Sequence, residues 1–381
     1  MRASAFQRDH AFVQGSATVI RFLILTSVVT LGACSQGRQS AAQAEASAGA
    51  VLWGKYCALC HGAEGQGYAA DNAPALANQE ALRSVDDVYL YSAVEMGRPG
   101  TPMAPYGARF GGPLSEEDIN VLVRYIRGWQ RSSSLPREAV SVSGIDPELG
   151  RKLYETSCSA CHGADGSGVT APSLGNPVFL TSVTNFALRH AIRRGRPGTP
   201  MQAYSDLTAT EVLQLIAYIR SFIVDNGVRL EESNQPTLPD DLVANPAGSS
   251  PDFGPLGEGR YLSAERLRGA IERKDRMVLL DARSTADYVL GHLPGAVPAP
   301  YYDDFDTLIA RLPKDDTWIV AYCGCPHHAS DEVVDRLRDA GFKNTAVLDE
   351  GVFYWADLGY PLVTGTEPIR VEKRDEAGKA K

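Results

Sequence analysis

Two Cys-x-x-Cys-His pentads, Cys57-Ala58-Leu59-Cys60-His61 and Cys158-Ser159-Ala160-Cys161-His162, constrain this chain more than any other feature. Two thiols three positions apart on a tight turn can each add to one vinyl group of a haem, and the adjacent histidine then lies under the iron. A zinc site needs a further pair of ligands close by, and a thioredoxin-like redox pair does not need the histidine. The spacing therefore reads as covalent haem attachment at Cys57, Cys60, Cys158 and Cys161, with His61 and His162 as proximal iron ligands.

The pentads sit inside a long internal repeat. His61-Gly62-Ala63-Glu64-Gly65-Gln66-Gly67 matches His162-Gly163-Ala164-Asp165-Gly166-Ser167-Gly168, and Pro74, Leu76 and Asn78 match Pro172, Leu174 and Asn176. Further on, Gly97-Arg98-Pro99-Gly100-Thr101-Pro102-Met103 and Gly195-Arg196-Pro197-Gly198-Thr199-Pro200-Met201 are identical, and Tyr125-Ile126-Arg127 matches Tyr218-Ile219-Arg220. Only two copies are visible, which indicates a duplicated domain and not a solenoid.

Each copy resembles a small class I cytochrome c domain: a helix into Cys-x-x-Cys-His, a Pro-x-Leu loop, a Thr-Pro-Met loop and a closing helix. The resemblance implies an all-α fold with one haem c per copy. It makes Met103 and Met201 the sixth ligands of haem 1 and haem 2. It also implies that the Pro74 and Pro172 carbonyls accept the N–H of the proximal histidines, which fixes the ring orientation. A thioether opposite an imidazole fills both axial positions and raises the reduction potential, which suits electron transfer. Met96 matches Arg194 and reads as packing. His190 matches Ser92 and reads as a surface histidine. Arg98 and Arg196 read either as partners of haem propionates or as solvated loop arginines.

Helix signals agree with this fold. Asp146-Pro147 is an N-cap with proline at the first helical position. Thr208 to Glu211 reads as a capping box, and Ser115 opens the matching helix of the first copy. Val212, Leu215, Ile216, Ile219 and Ile223 form one apolar stripe at helical spacing, and Ile119, Leu122, Ile126 and Trp129 form the other.

At the N-terminus, Arg21 precedes the uncharged, largely apolar run Phe22 to Ala33. That run is too short to span a bilayer comfortably and fits the core of a signal peptide. It ends in Leu31-Gly32-Ala33-Cys34, which resembles a bacterial lipobox. The resemblance implies removal of residues 1–33 and acylation of Cys34, giving a lipid anchor on the periplasmic face of a bacterial membrane. The alternative is an ordinary cleaved signal that leaves a soluble periplasmic protein. Residues 34–48 read as a flexible tether. Of the seven cysteines, these assignments leave Cys323 and Cys325, close together in the last third.

Residues 227–259 are rich in proline, glycine and serine and read as a linker. Beyond them short apolar strands, Met277 to Asp281 and Trp318 to Tyr322, alternate with helical segments near 263–273, 305–312 and 329–340. That order implies a parallel sheet covered by helices. The region resembles the rhodanese family through Leu280-Asp281-Ala282-Arg283, Asp287-Tyr288, Gly291-His292-Leu293-Pro294-Gly295-Ala296, Gly351 and Trp355. In that resemblance Cys323 occupies the position of the catalytic cysteine, at a helix N-terminus that favours a thiolate or persulfide anion. His292 belongs to a structural turn.

The loop Cys323-Gly324-Cys325-Pro326-His327-His328 lacks the arginine or lysine usual in that family. Three readings stand: persulfide chemistry at Cys323 with Cys325 as a resolving thiol, a catalytically inactive module that binds a partner, or a soft-metal site of two thiols and two imidazoles.

Residues 227–381 carry 18 basic and 27 acidic side chains, a difference equal to the net charge of −9 for the chain. The haem regions are nearly neutral, and no basic face calls for nucleic acid. The expected architecture is two all-α cytochrome c domains (49–131 and 144–226) followed by an α/β rhodanese-like domain with a parallel sheet (260–366) and a charged tail (367–381). The expected protein is a membrane-anchored dihaem electron carrier. Its partners would be redox proteins (another cytochrome, an oxidase or a reductase) and a small sulfur compound. Whether the last domain is an enzyme stays open at this point.

The pentads predict two covalent haems per chain. Pyridine haemochrome analysis of the purified protein should return two, and Cys158→Ala with Cys161→Ala should reduce the count to one.

Overall fold

The computed structural model describes residues 43–68, 72–222, 236–324 and 327–365. The leader at 1–33, Cys34, Ile223, Cys325 and the tail at 367–381 lie outside them. Residues 43–48, expected in the tether, are helical. Ala44, Ala46 and Ala48 favour this, alanine being the strongest helix former.

In the first haem domain α1 (residues 49–56) runs into Cys57 and the short α2 (Ala58–His61). It continues through α3 (Gln79–Ser84), α4 (Asp87–Glu95) and α5 (Glu116–Arg127). The second domain repeats the order with α6 (Glu148–Ser157), α7 (Ser159–His162), α8 (Pro177–Ser182), α9 (Asn185–Arg194) and α10 (Ala209–Ser221). The capping box at Thr208 and Glu211 is present, and Ser115 forms another with Asp118. Pro147, expected at the first helical position, is instead the N-cap of α6, so the helix starts one residue later than the sequence implied, while Asp146 accepts from the Glu148 amide at 3.0 Å just ahead of it.

The apolar stripes are core. Ile119, Leu122 and Ile126 of α5, and Val212, Leu215, Ile216 and Ile219 of α10, are buried. Each closing helix lies against the first helix of its domain at a glycine. A Cβ on Gly49 would stand 2.6 Å from Tyr125 Cβ, and one on Gly150 would stand 2.2 Å from the Gln214 carbonyl oxygen.

The two haem domains pack on each other through equivalent surfaces, α3 against α9 and α4 against α8. Since α3 corresponds to α8 and α4 to α9, the contact is pseudo-twofold, as in an isologous dimer. His190 lies in this contact and not at a free surface. Its Nε2 meets Glu80 Oε2 at 2.6 Å, because the face of α9 that would be exposed in an isolated domain is covered by α3.

The C-terminal domain contains β1 (Tyr261–Leu262), α11 (Ala264–Glu272), β2 (Met277–Asp281), α12 (Thr285–Leu290) and β3 (Ala296–Pro298). It then runs through α13 (Phe305–Arg311), β4 (Trp318–Tyr322), α14 (His328–Asp339), β5 (Thr345–Leu348) and α15 (Gly351–Asp357). The strands form one parallel sheet in the order β1-β5-β4-β2-β3. Both faces are covered, so β2, β4 and β5 read as continuous apolar runs. Val278, Leu280, Ile319 and Ala321 pack under α13 and α14. Met277, Leu279, Val320 and Tyr322 pack under α11, α12 and α15.

The linker expectation needs correction for residues 236–259. Leu242 and Phe253 are each 3% exposed and join the cores on opposite faces of the sheet, and Ala244 bridges Met277. The proline-rich composition marks irregular backbone, but its apolar residues are packed.

Beneath the sheet's C-terminal edge, Asp281 accepts from Arg283 Nε at 2.9 Å and Nη2 at 2.6 Å, and from the Tyr322 hydroxyl at 2.8 Å. His292 is fully buried, stacks on Tyr288 at 3.8 Å and bonds the Tyr288 carbonyl through Nδ1 at 2.8 Å, in keeping with a structural turn. Asp287 beside this network is pushed up to about 7 by burial, which outweighs the nearby Arg283 charge. A folded value above the unfolded one means that this carboxyl's contribution is fully present below about pH 4 and is lost as pH rises through about 7. Asp287→Asn removes that dependence. Its melting temperature should gain on the wild type between pH 5 and pH 8, and parallel curves would contradict the assignment.

Candidate haem and sulfur sites

The first helix of each domain delivers the pentad. Trp53 Nε1 donates to the Gly62 carbonyl at 3.1 Å, and in the second copy the Tyr154 hydroxyl donates to the Gly163 carbonyl at 2.8 Å. These equivalent aromatics tie the helix to the residue after each histidine. Trp53 stands edge-on to Trp129 at 4.7 Å, and Tyr154 edge-on to Phe222 at 5.0 Å. The sequence reading did not single out Trp53 and Tyr154, although an aromatic four residues before the first cysteine in both copies was the available signal.

The histidine rings are held as the resemblance implied. His61 Nδ1 lies 3.0 Å from the Pro74 carbonyl oxygen, and His162 Nδ1 lies 2.9 Å from that of Pro172. The carbonyl can only accept, so Nδ1 carries the proton and Nε2 is left for a metal. Burial lowers both imidazoles below their ordinary value, the carbonyl bond acting in the opposite sense. Burial, with Cys60 adding, pushes the Cys57 thiol up to about 12, and burial with Cys161 pushes Cys158 up to about 11. Leu76 and Leu174 line the adjoining apolar clusters. A pair of thiols, a neutral imidazole of fixed tautomer and an apolar cradle fit a c-type haem.

The Thr-Pro-Met loops close on themselves identically. Arg98 N donates to Met103 O at 2.6 Å and Met103 N to Thr101 Oγ1 at 3.2 Å. The second copy gives 2.8 Å from Arg196 N to Met201 O and 3.2 Å from Met201 N to Thr199 Oγ1. Met96 follows α4 as its C-cap. Neither loop arginine is freely solvated. Arg98 lies over the Tyr89 and Phe179 rings at 5.5 and 6.0 Å, and burial lowers Arg196 below its ordinary value.

In the C-terminal domain Cys323 follows β4, is 2% exposed, and its Sγ lies 3.3 Å from Ser330 Oγ on α14. Its carbonyl accepts from the Val352 amide at 2.9 Å. His327 adopts φ 81°, stacks on Tyr261 at 3.9 Å and places Nε2 2.6 Å from Asp349 Oδ1. That pairing engages one imidazole of the loop. Among the described residues no three potential ligands converge on a metal position. Cys325 lies outside them.

Sequence reasoning missed the bridge between this domain and the first haem domain. The Tyr301 hydroxyl donates to the Tyr56 carbonyl at 2.9 Å, one residue before Cys57. Tyr302 is buried in the haem-domain cluster, with its ring 4.9 Å from that of Tyr56, and Thr285 Oγ1 donates to the Gly111 carbonyl. Tyr301 packs against both the cluster holding Cys323 and the cluster bordering Cys57.

Comparison with known proteins agrees with this geometry. The family described as "Cytochrome C oxidase, cbb3-type, subunit III" matches residues 44–126 and 146–219, and the rhodanese-like domain family matches 263–358. The chain consists of two cytochrome c domains and a C-terminal rhodanese-like domain. It is an electron-transfer cytochrome of this composite kind. The cbb3-type cytochrome c oxidase subunit CcoP of Cereibacter sphaeroides is 26% identical over 56% of this chain and 72% of its own length. Two further CcoP proteins are matched over only 60% and 53% of their length. The HTH-type transcriptional regulator Rv0324 of Mycobacterium tuberculosis is 33% identical over 33% of this chain and 54% of its own. A thiosulfate sulfurtransferase structure from Pseudomonas aeruginosa is 27% identical over 28% of this chain and 20% of its own, with a TM-score of 0.25. Among the described residues no helix is long and apolar enough to cross a membrane.

Tyr301→Phe keeps the ring packing and deletes both the donor to Tyr56 and the partner of the Tyr106 hydroxyl, so the effect of one bond is a lower bound. A net hydrogen bond is worth about 1 kcal/mol, so hydrogen exchange at residues 300–303 should rise at least about fivefold, with the haem-domain cores unchanged.

Proposed function

We propose that this protein is a dihaem c-type electron carrier, lipid-anchored through Cys34 on the periplasmic face of a bacterial membrane. In this reading the rhodanese-like domain feeds it electrons from a sulfur species at Cys323. The observation that carries the coupling is Tyr301, which packs against the Cys323 cluster and bonds the backbone beside Cys57. Cys57, Cys60 and His61 would hold haem 1 with Met103, and Cys158, Cys161 and His162 would hold haem 2 with Met201. When bound, each haem supplies a one-electron acceptor of comparatively high potential.

Cys323 and Cys325 act as a dithiol. Its oxidation to a disulfide releases two electrons and two protons, one electron for each acceptor. Hydrosulfide then opens the disulfide, giving a persulfide on Cys323 and a thiol on Cys325. Transfer of the outer sulfur to a nucleophilic acceptor restores the dithiol. The relatives named as cbb3-type oxidase subunits support an oxidase or another cytochrome as the electron acceptor.

A second reading, a binding module without turnover, is favoured by the burial of Cys323 and by a loop whose His327 is already paired with Asp349. One experiment separates the two. Excess sulfide added anaerobically to the oxidised protein should reduce both haems, followed by absorbance, with a second hydrosulfide taking the outer sulfur as polysulfide and restoring the dithiol. Cys323→Ser and Cys325→Ser should slow reduction at least tenfold. Equal rates in both variants would mean that sulfide reaches the haems directly and that the domain is a docking module.

A further inference from the structure

The Arg-Pro-Gly-Thr-Pro-Met loops are not held by their own domains alone. The Thr101 and Thr199 amides each donate to the carbonyl three residues back at 3.0 Å, with Gly100 at φ 81° and Gly198 at φ 84°. This is the type II turn, with proline second and glycine third. The carbonyl of the second residue points away from such a turn and finds no partner within it.

In each copy an asparagine of the other haem domain takes that carbonyl. Asn176 Nδ2 donates to Pro99 O at 2.9 Å, and Asn78 Nδ2 donates to Pro197 O at 2.9 Å. The same asparagines cap helices of their own domains. Asn78 Oδ1 accepts from the Ala81 amide at 3.1 Å, and Asn176 Oδ1 accepts from Val178 and Phe179 at 3.1 and 3.2 Å. Because Oδ1 must face the helix amides, the NH2 group must face outward. One domain therefore orients each side chain and the other uses it. Asn176 is 4% exposed, so its donor has no ready substitute in water.

We propose that Asn78 and Asn176 are positioning residues that act in trans: Asn176 fixes the loop carrying Met103, and Asn78 fixes the loop carrying Met201. The axial methionine of each haem is thus held in part by the opposite domain. The proposal rests on the reading of Met103 and Met201 as iron ligands. It implies that freeing Met103 weakens the Asn176–Pro99 contact and that freeing Met201 weakens the Asn78–Pro197 contact, and linkage makes each coupling reciprocal.

Serine caps a helix about as well as asparagine but is too short to cross the interface. Asn176→Ser therefore keeps α8 capped and removes only the donor. In the full haem-loaded chain carrying Met201→His, only haem 1 retains a methionine-to-iron charge-transfer band, and imidazole titration of that band reads the Met103 bond. Loss of one net hydrogen bond predicts imidazole binding about threefold to tenfold tighter in Asn176→Ser. Asn78→Ser in the same background should leave it unchanged. In the Met103→His background the two variants should exchange roles. A normal band with an unchanged titration in Asn176→Ser, or an effect only from the asparagine of the haem's own domain, overturns the proposal. A missing band in both Met→His parents overturns the ligand assignment and the proposal with it.

Discussion

The close approach of the first and closing helices at one glycine is the constraint on which each haem domain depends. A methyl group on Gly150 would meet the Gln214 carbonyl at 2.2 Å, so nothing larger than hydrogen fits there without moving α10. That crossing sets where α6 ends, and the end of α6 is where Cys158 begins. Tyr154 is buried against Tyr218 and Phe222 of the closing helix while its hydroxyl reaches the Gly163 carbonyl. Helix packing is thereby transmitted through one aromatic side chain to the backbone just after His162. The first copy does the same with an indole, which explains how the position tolerates Trp in one copy and Tyr in the other: both bring a donor at the far end of a flat apolar body.

Duplication has left more than two similar domains. The pseudo-twofold packing puts α3 on α9 and α4 on α8, so the surface each domain presents is the surface it receives. Glu80 and His190 show where the symmetry breaks. They form a close pair across the interface, yet the position equivalent to His190 in the first copy is Ser92. Burial raises Glu80 but the His190 bond and charge outweigh it, so the carboxyl stays below its ordinary range. An interface with one such pair on one side of the axis favours pairing of the first domain with the second over pairing of two like domains.

Much of this was legible in the sequence because the chemistry is local. The pentads, the Thr208 capping box and the helix start at Ser115 each involve residues close in the chain, and the cytochrome resemblance supplied the proline carbonyls that the structure places beside His61 and His162. The strands Met277–Asp281 and Trp318–Tyr322 were legible as apolar runs because a doubly covered parallel sheet buries all of their residues but Trp318, which is half-buried. The two-residue β1 and three-residue β3 carry too little pattern to be read alone. The contacts that join domains were not legible. Tyr301 and Tyr56 are 245 residues apart, and Asn78 and Pro197 are 119 apart. No periodicity encodes such a pairing. Residues 236–259 misled for the opposite reason, since turn-rich composition describes the backbone and says nothing of whether Leu242 or Phe253 is buried.

The packed state of residues 236–259 changes how the fusion has to be understood. A long free linker would raise the local concentration of the rhodanese-like domain around both haem domains alike, and the two would compete for it. With that segment built into the rhodanese-like core, what selects a haem domain is the surface that makes contact. Tyr301 and Tyr302 supply it toward the first domain, between the sheet that carries Cys323 and the turn that carries Cys57. The order of the domains then has a physical meaning: the haem domain nearest in sequence to the rhodanese-like domain is the second, but the one in contact through Tyr301 is the first. The second haem domain has its reciprocal face against the first. In the function proposed above, electrons entering beside Cys57 would cross the pseudo-twofold interface to reach the second haem domain.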